Sequence, residues 1–211
     1  MQQYIRLAAL AAFLLCQTRL AASYDAPHIW PLDPWKINSL QVTAPAPGHP
    51  GTVMSIALAI ENPNTVSAGP APHASGGGYL SFAPSAANCT TSAAASGGAL
   101  VYTQARCAET TEFSYGAFAV GGVVADPRRF ELAFNLNYNV TRWGSVWYKV
   151  YDAAARFEVG VNLAEGVYDR ESGTYSYELM RNSTPVLVRP TMTECKGYCQ
   201  MPPTNASAGA A

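Results

Sequence analysis

Histidine runs out early in this chain: His28, His49 and His73 are the only three, and none follows in the remaining two thirds. That removes the usual general base from every later segment. Charge is scarce as well, at 13% of residues, and no basic cluster is denser than Arg128-Arg129. Nucleic-acid binders carry a basic face, so that class is excluded. Long apolar runs are missing too. The longest, Leu7 to Cys16, is too short to cross a bilayer, which needs about 20 such residues. The carboxy-terminal end has no hydrophobic stretch of the kind a lipid-anchor signal requires, so no membrane anchor is expected.

Recognised catalytic spacings are also absent. Trp143-Gly144-Ser145-Val146-Trp147 lacks the outer glycines of a nucleophile elbow. No glycine-rich loop carries the Lys-Ser/Thr pair of a phosphate cradle. Cys195-x3-Cys199 has no histidine beside it, so it is not read as a zinc site. Neither a catalytic residue, a metal ligand nor a cofactor is assigned. For a two-carboxylate hydrolase the strand-borne candidates are Glu131, Glu158 and Glu178. Tyr175-Ser176-Tyr177-Glu178 resembles a segment of small fungal ribonucleases, but those enzymes also need a late histidine.

What is present begins with a leader. Arg6, the apolar run and the small-residue step Ala21-Ala22-Ser23 read as a secretory signal over residues 1–23. Its loss would take Arg6 and Arg19 away, leaving 11 of the 13 basic residues against 14 acidic ones. The mature chain is expected to be extracellular, with one β domain over 24–199 and a disordered tail over 200–211.

Cys16 belongs to the leader, and Cys89, Cys107, Cys195 and Cys199 remain. An even count in a secreted chain argues for two disulfides. Of three possible connectivities, the sequence-local pairs Cys89–Cys107 and Cys195–Cys199 are expected. Four sequons occur, at Asn88, Asn139, Asn182 and Asn205. Pro185 follows Asn182 closely and Asn88 precedes a half-cystine, so Asn139 and Asn205 are the expected glycan acceptors.

The apolar pattern has period two. Met54, Ile56, Leu58 and Ile60 form one face of a strand, and Phe130, Leu132, Phe134, Leu136 and Tyr138 one face of another. Further strands are read at 35–42, 99–103, 111–120, 143–151, 156–163, 173–179 and 186–188, with a helical turn possible at Asp152–Ala155. Residues 66–98, rich in Gly, Ala and Ser, read as a long loop holding one short strand, 79–82. The fold class expected is all-β: an antiparallel sandwich or closed barrel of about seven to nine strands. Trp143, Trp147, Tyr148 and Tyr151 crowd together. They either present rings to a sugar or protein partner or fill a core between two covered faces.

The leader, Trp35-x-Ile37-x-x-Leu40, Asn62-Pro63-Asn64, Asn88-Cys89-Thr90, a second cysteine and Phe130-x-Leu132-x-Phe134 resemble small cysteine-containing secreted fungal proteins. The nearest named family is the Alternaria major-allergen-like family, a β-barrel group of allergens and plant-interacting effectors. The resemblance implies a non-enzymatic secreted protein acting by binding at a host or cell-wall surface, its partner a host protein or a wall polysaccharide. The alternative is a glycan-binding or glycan-cleaving wall protein.

Overall fold

A computed structural model of the chain describes residues 32–47, 53–70, 79–94, 100–110, 116–142, 145–197 and 199. The expected leader and tail, the three histidines, Trp143 and Asn205 lie outside these residues. The described part is nearly all β, and every pairing between its strands is antiparallel. No helix among the described residues is long and apolar enough to cross a membrane.

The first sheet centres on β1 (Trp35–Pro45) and β2 (Val53–Asn62). Beyond β2 lie β5 (Ser85–Ala94) and the two-residue β7 (Ala108–Glu109). The other edge of β1 is shared along its length by β12 (Thr174–Glu178) and β13 (Val186–Val188), and β11 (Val167–Asp169) completes the sheet outside β12. The second sheet runs β14 (Thr191–Lys196), β10 (Ser145–Glu158), β9 (Arg129–Arg142), β8 (Gly116–Asp126) and β6 (Leu100–Arg106). A separate ribbon pairs β3 (Val66–Pro70) with β4 (Tyr79–Phe82).

Alternation sets what each strand buries. Phe130, Leu132, Phe134, Leu136 and Tyr138 are all buried on β9, and Met54, Ile56, Leu58 and Ile60 on β2. On β1 the buried set changes parity, from Trp35 and Ile37 to Leu40, Val42 and Ala44. A register shift between Ile37 and Ser39 supplies the extra residue, so both halves face the same core. Residues from both sheets join one buried cluster. Trp35 of the first sheet meets Phe118 of the second edge-on, at 5.3 Å between ring centres.

Three expectations need correction. The described chain has fourteen strands rather than seven to nine, since pieces as short as Ala108–Glu109 carry too few residues to show a pattern. Ser85–Ala94, read as loop, is a ten-residue strand paired along its whole length with β2. Its small side chains have no apolar period, and the ladder offered by β2 decides its conformation. Asp152–Ala155 is not a helical turn, because β10 runs through it in register with Phe134, Ala133 and Leu132. The helix preference of alanine is outweighed by pairing and by burial of Ala155 and Phe157.

Asn62-Pro63-Asn64 does more than end β2. The Asn62 amide donates to the Tyr138 hydroxyl at 2.6 Å, and the Asn64 amide donates to Asn62 Oδ1 and to the Asp33 carbonyl, each at 2.8 Å. This buried clasp ties Asp33, just ahead of β1, to the second sheet. Burial pushes the Tyr138 phenol up, and the neighbouring Ser85 hydroxyl and the hydrogen bond from Asn62 oppose it. Tyr138→Phe leaves the Asn62 amide only its long 3.5 Å bond to the Asn64 carbonyl and is expected to cost about 1–3 kcal/mol in urea unfolding. An unchanged midpoint would show that the clasp carries no net stability.

Candidate functional site: a tyrosine groove

The β11–β12 hairpin brings three tyrosines into a row. Tyr168 lies directly across from Tyr175 with ring centres 5.1 Å apart, and Tyr177, two residues further along β12, is 6.3 Å from Tyr175. Their exposure is graded: Tyr168 is 42% exposed, Tyr175 is half-buried and Tyr177 only 6% exposed. The Asp169 carboxylate fixes the turn by accepting from the Glu171 amide at 3.0 Å and the Ser172 hydroxyl at 2.7 Å. Those same bonds, the one from Ser172 first, hold its carboxyl below the usual range. Gly173, at φ 65°, closes the turn in a region that favours glycine, and its carbonyl accepts from the Ala46 amide.

Tyr175 and Tyr177 line a groove of about 440 Å³ together with Pro45, Pro47, Asp126, Arg128 and Glu165. The backbone at Gly166 passes directly over the Tyr177 ring, where a Cβ would lie 2.6 Å from Cε1. No other residue fits there without displacing the ring. Burial pushes the Tyr177 phenol up, the Arg128 charge opposes it, and Asp126 and Glu165 add to it. The phenol therefore stays neutral and able to donate at ordinary pH. Arg128 and Glu165 pair at 3.7 Å, but both are exposed, and such pairs are worth about 0–1 kcal/mol. A ligand can take over either partner at little cost. Flat rings beside one cation and two carboxylates suit recognition of a hydroxyl-rich or peptide partner.

The tryptophan and tyrosine cluster read from the sequence is not gathered on one face. Tyr151 is buried, and burial together with Tyr138 pushes its phenol up. Trp147 is half-buried against the core, and its ring covers Gly197, where a Cβ would lie 3.2 Å from Cε3. Its indole N–H is buried without a partner among the described residues. Tyr148 points to the opposite face, directly across from exposed Asn139 on β9. Lys149, buried between Trp147 and Tyr151 in sequence, has its amine pushed down by desolvation; no pattern in the sequence marks it.

Both expected disulfides are formed, Cys89–Cys107 and Cys195–Cys199. Two of the three carboxylate candidates, Glu131 and Glu158, are diagonal neighbours on β9 and β10, and the third lies apart. Glu158 pairs with Arg129 at 3.7 Å, Glu131 lies across from Arg156 on the same outer face, and exposed Glu178 belongs to the first sheet. No group of three His, Cys, Asp or Glu side chains among the described residues could hold a metal.

Comparison with known proteins returns no matching family model, no curated relative and no solved structure. The reading of the groove therefore rests on its own chemistry. In the sequence Tyr175 falls in the strand read at 173–179, whereas Tyr168 lies between that strand and the one read at 156–163. The hairpin that joins them is signalled by Asp169 and Gly173, a turn pair flanked by tyrosines.

Proposed function

We propose that this is a secreted protein that acts by binding, at a host or cell-wall surface, and that the tyrosine groove is its contact surface. The two disulfides suit an extracellular chain. The resemblance to the Alternaria major-allergen-like family supports the effector-like or allergen-like form of this reading. For the architecture we favour a sandwich over a closed barrel, since Trp35 and Phe118 pack across two separate sheets.

One observation carries the proposal: a row of tyrosine rings that runs from exposed to buried beside a weakly held ion pair. Tyrosine and arginine dominate the binding energy of interfaces because they bury large rigid area and donate several hydrogen bonds. The same groove favours a second reading, a wall glycan, since ring faces stack on sugars while Asp126, Glu165 and Arg128 meet hydroxyls.

The test is a pull-down on chitin, cellulose and β-glucan, and on a host extract, with the wild type and a Tyr168→Ala/Arg128→Ala variant. Both side chains are exposed, so the variant should fold normally. Loss of about 2 kcal/mol, near thirtyfold in affinity, is expected for whichever target binds. Equal retention of wild type and variant on that target would remove Arg128 and the exposed end of the tyrosine row from the function.

A further inference from the structure

We propose that Asn88 is a modification site: it carries an N-linked glycan whose first sugars lie along a groove on the outer face of the first sheet. This rests on entry into the secretory route but not on the tyrosine groove, which lies elsewhere.

In the sequence, Cys89 counts against Asn88 as an acceptor. The fold separates the two. β5 alternates, so Cys89 is buried and bonded to Cys107 while Asn88 and Thr90 both stand exposed on the opposite face. The acceptor amide and the hydroxyl of the sequon thus share one surface, clear of the disulfide. Both line a groove of about 400 Å³, within the size range of small-molecule sites. Its floor is Ala57, directly across from Thr90, and Gln41 lies on the far side of Ala57. Glu178 follows in the same cross-strand row, and Thr184 completes that wall. From Thr90 to Glu178 is three strand spacings, about 14 Å. Beside the apolar Ala57 and Leu179, the polar side chains of the lining are amides, hydroxyls and one carboxylate. Such groups match the hydroxyls and acetamido groups of a glycan core, which begins at the groove's own wall.

The attachment is a group transfer. Nδ2 of Asn88 bonds to the anomeric carbon of an oligosaccharide carried on a polyprenyl diphosphate. The bond from that carbon to the diphosphate oxygen breaks, and the diphosphate leaves with the electron pair. The amide proton passes to a base of the transferase. The transferase needs an extended acceptor free of neighbours, so transfer precedes pairing of β5 with β2.

The test uses the full chain secreted from a eukaryotic host behind a heterologous leader, so that failure of the native leader is a separate result. Mass spectrometry should find the peptide holding Asn88 glycosylated, and Thr90→Ala should strip that glycan while leaving any at Asn139. Glycosidase release at Asn88 should be several-fold slower from folded than from unfolded protein. Ala57→Trp, which fills the groove, should bring the folded rate up towards the unfolded one. An unmodified Asn88 overturns the site. Equal release rates from folded and unfolded protein overturn the placement of the sugars in the groove.

Discussion

Trp35→Ala is expected to cost about 3–5 kcal/mol, the range for removing a buried large aromatic side chain. Single domains of ordinary stability hold only about 5–15 kcal/mol in total, so much of this protein should be unfolded in mild denaturant. The indole is 1% exposed and packs edge-on against Phe118 of the facing sheet, at 83° between ring planes. Its backbone meanwhile pairs with Val188 of β13. One residue therefore joins the two sheets through its ring and seats β13 through its main chain. Urea unfolding followed by tryptophan fluorescence and circular dichroism measures the loss. A cost under about 1 kcal/mol would mean that the two sheets close over the gap, against the packing described.

The second large effect concerns the disulfides, and the two should differ. Cys89–Cys107 spans 18 residues, and the loop-entropy model assigns such a closure about 3 kcal/mol. More than entropy is involved. Cys89 lies on β5 of the first sheet, while the Cys107 amide donates to the Phe118 carbonyl of β8 in the second. The bridge is thus a covalent link between sheets, formed where both cysteines are buried. Cys89→Ala/Cys107→Ala should lower the melting temperature by many degrees. Cys195→Ala/Cys199→Ala should lower it far less, because that ring spans only 4 residues at the end of edge strand β14. Equal losses in the two variants would show that the first bridge does not join the sheets energetically.

The sequence reveals most where one face of a strand is strongly apolar. β2 and β9 alternate large apolar residues with small or polar ones, and both bury the face expected. β5 escapes notice because Ala, Ser, Thr and Asn look alike in a loop and in a strand whose neighbour supplies the ladder. The Trp143–Tyr151 segment shows a different limit. Crowding along a strand is not crowding in space, since successive side chains leave on opposite faces. Hence Tyr148 and Tyr151 part company, and Tyr168 and Tyr175, seven positions apart, come together across a hairpin. The buried pair Asn62 and Asn64 reads as a simple strand ending until Tyr138 is brought beside it.

The way β1 is completed has a consequence for the timing of folding. Its outer edge is closed by β12 and β13, and the hydrogen bond from Gln41 to Ser176 joins residues 135 positions apart. A chain made from its amino end can form the β1–β2 ladder early, but that edge stays uncovered until residues 174–188 have been made. Contacts so distant in sequence slow folding, because loop entropy is lost before the contact is gained. During that interval β1 offers a bare strand edge on which other chains can template. The yield of folded protein should then depend less on final stability than on how quickly β12 and β13 arrive and dock.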